Sequence, residues 1–99
     1  MKVVFTEVAQ EQYNEIIYYL NAGFGKEKAQ QFSESLKQNI TQVKRFPESC
    51  PFFFETNKRK FMVSPFITVI YEVNVAIKRI EILNFWFNRS NPDVLLQHL

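Results

Sequence analysis

From Lys58 onward the hydrophobic period of this chain changes from that of helices to that of strands, and that change restricts the folds open to it. Before it, apolar residues recur at helical spacing. Ala9, Tyr13, Ile16, Ile17 and Leu20 make one stripe; Ala29, Phe32, Leu36, Ile40 and Val43 make a second. After it, β-branched and aromatic residues dominate and the period becomes that of strands. Strands are expected over residues 58–64, 66–73 and 77–87, with Pro65 marking a bend and Asn74-Val75-Ala76 a turn.

The ends of the segments agree with this reading. Lys2 to Phe5 is short, β-branched and aromatic, and reads as a first strand. Thr6 supplies a helix cap, and Glu7 puts a carboxylate at the positive end of the helix dipole. Residues 21–25, with Gly23 and Gly25, stop the first helix, and Pro47 stops the second. A connection this short between two long helices predicts an antiparallel helical hairpin. Residues 48–57 read as a loop, residues 88–92 break the last strand, and residues 93–99 leave room for one further helical turn. The expected architecture is α+β: an N-terminal strand, an antiparallel helical hairpin, then a three-stranded antiparallel meander, with the helices packed on one face of the sheet. Residues 1–99 are expected to form a single domain.

Composition removes several function classes. A single cysteine, Cys50, forms no internal disulfide, and a single histidine, His98, brings no partner for a zinc site. Only two glycines are present, and neither belongs to a phosphate-cradling loop, so no nucleotide cofactor is expected, and no metal. The apolar runs are far shorter than a membrane span and no signal peptide is legible, which makes the cytoplasm the expected location.

Charge is unevenly spread. Residues 1–57 carry six basic and seven acidic side chains, a net of −1; residues 58–99 carry six and three, a net of +3. The basic residues Lys58, Arg59, Lys60, Lys78, Arg79 and Arg89 thus gather in the sheet half. A basic sheet surface suits phosphates or an acidic protein; an ordinary solvated face with edge-protecting lysines is the alternative. In an extended chain Lys58 and Lys60 point one way and Arg59 the other, so the three do not form one clamp. Arg79 either pairs with Glu81 or Glu72 or offers its planar fork to a ligand. The run Phe52-Phe53-Phe54 cannot bury three consecutive rings on one face, so at least one is expected to be exposed or to meet another chain.

The sheet half reads Lys58-Arg59-Lys60-Phe61-Met62-Val63-Ser64-Pro65-Phe66, then Ile70-Tyr71-Glu72, and closes on Arg89-Ser90-Asn91-Pro92. With Ile17-Tyr18-Tyr19-Leu20 and Phe46-Pro47 in the helical half, this order resembles the RelE/ParE superfamily of toxins from bacterial type II toxin–antitoxin systems. The resemblance implies a growth-inhibiting toxin held silent by a small acidic cognate antitoxin, as a toxin–antitoxin hetero-oligomer. It offers two targets: DNA gyrase for ParE-like toxins, or mRNA in the ribosome for RelE-like ones. It also makes Lys58, Arg59, Lys60, Arg79 and Arg89 the candidates for target binding, and Phe52, Phe53 and Phe54 the candidates for antitoxin contact.

Chemistry weighs on the choice of target. Metal-free RNA cleavage needs a proton acceptor, a proton donor and cations for the developing charge. The cations are here, but His98 lies in the tail, Tyr71 in the densest apolar strand, and Glu55 and Glu72 have no evident donor beside them. Val63 and Ser64 stand where the family commonly has basic residues before the bend. The expectation is therefore ParE-like gyrase inhibition, with ribosome-dependent mRNA cleavage second and a non-toxic binding module third.

Overall fold

The computed structural model of the chain describes residues 1–87. The element order is β1 (Lys2–Phe5), α1 (Glu7–Phe24), α2 (Lys26–Arg45), β2 (Arg59–Ser64), β3 (Ile67–Asn74) and β4 (Arg79–Phe87). The four strands form one sheet in the order β1-β4-β3-β2. The meander β2–β3–β4 is antiparallel, as its period predicts, but β1 joins β4 in parallel, so the whole sheet is mixed. A parallel partner is reached only by a crossover, and the helical hairpin and the meander together supply it.

Thr6 fixes the first corner. Its hydroxyl oxygen accepts from the Ala9 amide at 3.1 Å, capping α1, and its hydroxyl lies 3.2 Å from the Leu83 carbonyl of β4, to which it donates. The helix runs to Phe24, past Asn21, whose side chain donates back to the Ile17 carbonyl as a helical residue can. Gly25 alone then separates α1 from α2. Its φ of 91° lies in the left-handed region, where a side chain would be strained, so glycine is required at this joint.

The core lies between the hairpin and one sheet face. Ala9, Ile16 and Leu20 of α1 and Ala29, Phe32, Leu36 and Val43 of α2 meet Phe61, Ile67, Val69, Tyr71, Ile80, Ile82 and Phe85. Phe5, Tyr13, Phe32 and Phe85 join as an aromatic cluster with ring centroids 6.0 to 6.4 Å apart. The register of β4 shifts at Leu83, so that Asn84 opposes Ile70 while Ile82 opposes Tyr71. Just beyond this bulge the Phe85 amide donates to the Gln12 carboxamide at 2.8 Å, so a helix side chain satisfies a strand donor.

Strand boundaries differ from the sequence expectation, β3 running over Ile67–Asn74 rather than 66–73. Lys58 is drawn into a turn, its amide donating to the Thr56 hydroxyl and its carbonyl accepting from Phe53, so β2 begins at Arg59. Residues 75–78 form a turn in which Asn74 Oδ1 faces the Ile77 amide, and β4 therefore starts at Arg79 rather than at residue 77. The Arg89-Ser90-Asn91-Pro92 turn and the tail expected over residues 93–99 lie outside the described residues.

Two charge insertions test this layering. Val69 is fully buried against the helices, so Val69→Asp leaves a carboxylate without a partner and is expected to abolish a cooperative thermal transition. Ile70, one residue on, faces the opposite side with Lys60 directly across from it on β2. Ile70→Asp is expected to keep a cooperative transition, destabilised by about 2–5 kcal/mol as for a large buried truncation, when both are followed by circular dichroism.

Candidate functional site

Strand alternation assigns each sheet residue to one of two faces. The face away from the helices is built in rows across the strands: Met62, Thr68 and Trp86; Lys60, Ile70 and Asn84; Glu72, Glu81 and Val4; Asn74, Arg79 and Lys2. Cations occupy the margins of this face, and its centre holds Thr68 and Ile70 beside Asn84 and the carboxylates of Glu72 and Glu81. Thr68 and Ile70 are both buried. The 48–57 loop crosses this face. Phe53 reaches the Trp86 indole with ring centroids 5.9 Å apart, laying the loop across the meander.

The loop is held from below. Pro51 and Phe52 pair with the outer edge of β2, through Lys60 N–H donating to the Pro51 carbonyl at 3.0 Å and a bridge between Phe52 and Arg59. Arg59 Nη1 donates to the Cys50 carbonyl at 2.7 Å and to the Glu48 carbonyl at 3.1 Å. Its guanidinium carbon also lies 4.0 Å from the centroid of the Phe52 ring. Arg59 and Lys60 thus part company as strand alternation requires, Arg59 fastening the loop and Lys60 remaining on the outer face.

The other candidates fall in different places. Lys58 is half-buried in the turn before β2. Arg79 lies on the outer face with Glu81 3.6 Å away, which makes it the one cation with an ion pair among the described residues; its Nε is buried without a hydrogen-bond partner. Arg89 and His98 lie outside the described residues. Of the three consecutive phenylalanines, Phe53 is half-buried, whereas Phe52 and Phe54 are 52% and 78% exposed. Phe54 has a φ of 51°, a left-handed conformation uncommon for a bulky residue, and its ring packs edge-on against Phe53 at 4.6 Å. Trp86 and Met62, both exposed on the outer face, were not singled out from sequence. The signal was present in the alternation, since placing Phe85 in the core sends Trp86 the other way.

Of the acid and base candidates, Glu72 and Tyr71 are engaged, whereas Glu55 is open to solvent. Glu72 accepts from the Asn57 carboxamide at 2.9 Å. Tyr71 is fully buried and donates to the Pro47 carbonyl at 2.8 Å. Burial foremost, then the neighbouring Cys50 thiol, raises the Tyr71 phenol well above its ordinary pKa of 10.0, against a smaller opposing effect of Arg59. Glu55 lies exposed in the loop. The concavity of about 260 Å³ between α2 and the β2–β3 turn, lined by Leu20, Phe32, Val63 and Phe66, contains Lys28 but no acid–base pair.

The raised phenol pKa has a defined sign. The folded state holds the Tyr71 proton more tightly than the unfolded chain, so this contribution to stability is complete below pH 10 and is lost as pH rises past it. Tyr71→Phe is expected to flatten that alkaline decline while lowering neutral-pH stability by about 1 kcal/mol for the lost hydrogen bond, as urea titrations across the alkaline range would measure.

No protein-family model matches the sequence, and no curated protein does. Solved structures do match in fold. One is from the chromosomal ParDE toxin–antitoxin system of P. aeruginosa, with a TM-score of 0.74 and 16% identity over 90% of this chain and 97% of that one. A second is a YoeB/ParE toxin from Agrobacterium tumefaciens, with a TM-score of 0.66 and 18% identity over 90% of this chain and 100% of that one. A third is the intact E. coli RelBE toxin–antitoxin complex, with a TM-score of 0.63 and 15% identity over 90% of this chain and 98% of the matched one. The chain thus shares its fold of strand, helical hairpin and meander with these toxin structures over 90% of its length.

Proposed function

We propose that this chain is the toxin of a type II toxin–antitoxin pair, acting in the cytoplasm, silenced by a small acidic antitoxin and directed, when free, against DNA gyrase. Fold likeness to ParDE, YoeB/ParE and RelBE proteins supports the toxin half of this reading. The choice of gyrase rests on one observation: the acid–base candidates on the described sheet are occupied. Tyr71 is sealed in the core with its hydroxyl on the Pro47 carbonyl, Glu72 holds Asn57, and Glu81 lies beside Arg79. Cleaving RNA through its 2′-hydroxyl calls for a free acceptor and donor on opposite sides of one phosphate. Binding and blocking a large target calls only for shape, cations and exposed rings.

The antitoxin is expected to meet the exposed Phe52 and Phe54 rings, with its acidic residues set against Lys58 and Lys60. Lys60, Arg79 and, beyond the described residues, Arg89 are the candidates for the target contact, so the antitoxin would mask Lys60. A second reading, ribosome-dependent mRNA cleavage, draws on Trp86, which is half exposed beside the row that carries Lys60 and so offers a stacking surface near a cation.

Purified chain added to a gyrase supercoiling reaction is expected to inhibit it, and induced expression is expected to cause filamentation with DNA damage. Codon-positioned stops in primer extension of translated mRNA, with supercoiling untouched, would replace the gyrase reading with the ribosomal one. Unimpaired growth on expression would indicate a binding module without toxicity.

A further inference from the structure

One end of the sheet carries an apolar and basic surface that the sheet face and the aromatic loop do not account for. The start of β1, the β3–β4 turn and the C-terminal end of α2 converge there: Lys2 opposes Arg79, which opposes Asn74, and the Lys2 amide lies 3.4 Å from the Lys78 carbonyl. A groove of about 430 Å³ opens between these elements, lined by Met1, Arg45, Phe46, Pro47 and Val73, with Glu48 and Ser49 completing its wall. The Phe46 ring is 56% exposed, although the Phe46 backbone amide closes the helix on the Gln42 carbonyl.

The turn beside it is unusual for its composition. Tight turns favour glycine, asparagine and aspartate, yet this one exposes Val75 and Ile77, at 64% and 53%. Lys78 completes it with a φ of 51°, a conformation costly for a residue with a side chain. Neither β-branched residue belongs to the core, so intramolecular packing does not explain them. Lys2, Arg45 and Lys78 stand at this end of the sheet, none with an ion pair among the described residues, and Glu48 is the one carboxylate that lines the groove.

We propose that this end of the sheet is a docking surface for an acidic peptide segment of a partner protein, one that places an aromatic or aliphatic side chain in the Phe46 groove. Two features choose this occupant. The excess of unpaired cations selects acidic residues, and the groove, within the size range of side-chain and small-ligand pockets, selects an inserted anchor. A flat anionic lipid surface would use the charge but not the concavity. The surface lies at the start of β4, at the opposite end of that strand from Phe87, and the inference stands independently of the toxin reading.

The test is fluorescence anisotropy of purified full-length chain with a labelled acidic peptide carrying two adjacent phenylalanines. Binding that weakens with salt is expected. Phe46→Ser, and separately Val75→Ser/Ile77→Ser, should weaken it about tenfold, as should replacing the peptide phenylalanines by serine. Val8→Ser, exposed in the first turn of α1 and outside both surfaces, should leave it unchanged. The Val75/Ile77 variant alters a turn outside the core, so it remains informative should Phe46→Ser disturb the end of α2. No binding of the peptide, equal binding by the groove variants, or binding to phosphatidylserine vesicles in preference to the peptide would each overturn the proposal. Growth plays no part in the readout, so failure here is distinct from failure of the gyrase reading.

Discussion

The central strand β3 has to be buried on both sides, and the rest of the molecule follows from how each side is covered. From Ile67 to Tyr71 every side chain is buried. The strand period sends Ile67, Val69 and Tyr71 to the helices, and it sends Thr68 and Ile70 to the other face. The hairpin satisfies the first set. The second is buried as well, and the Phe53–Trp86 contact lays the loop over part of that face. Tyr71 couples the two sides, with its ring in the core and its hydroxyl on the carbonyl of Pro47, where that loop begins. Leaving such a hydroxyl unsatisfied in the interior would cost about 1–3 kcal/mol, so packing and loop position are set together.

This arrangement changes what the basic strand can do. Three consecutive cations precede and open β2, yet the backbone gives them different work. Arg59 is turned toward the loop carbonyls and the Phe52 ring, Lys58 is held in a turn, and Lys60 alone of the three sits in an outer-face row. The outer face therefore offers the exposed Met62 and Trp86 side chains, with Glu72 and Glu81 between cations at its margins. Such a surface suits recognition of a large partner, because its rings and charges are already in place before binding and little ordering remains to be done.

Much of the architecture was legible because it rests on periodicity. The helical stripes ending at Leu20 and Val43, the Thr6 cap, and the shift to strands from Lys58 onward each follow from local spacing, and the core formed along those stripes. The parallel pairing of β1 with β4 was not legible, since strand order depends on which edge the first strand reaches after the meander closes. Nor was the path of the aromatic loop. Phe52-Phe53-Phe54 announces that some ring must be exposed, but which one depends on the positive φ at Phe54 and on an arginine contact made across the loop. The site was harder to read than the fold for the same reason. Alternation separates Arg59 from Lys60, but only the loop carbonyls reveal that Arg59 is already engaged.

If the outer sheet face is the surface through which this chain acts, charge reversal there should matter more than equal reversal elsewhere. The direct measurement compares growth arrest after induction of Lys60→Glu, on the outer face, with that of Lys37→Glu, exposed on α2, at matched soluble levels. Loss of arrest with Lys60→Glu and full arrest with Lys37→Glu is the predicted result. Equal arrest by both variants, with both folded, would contradict the assignment of function to that face.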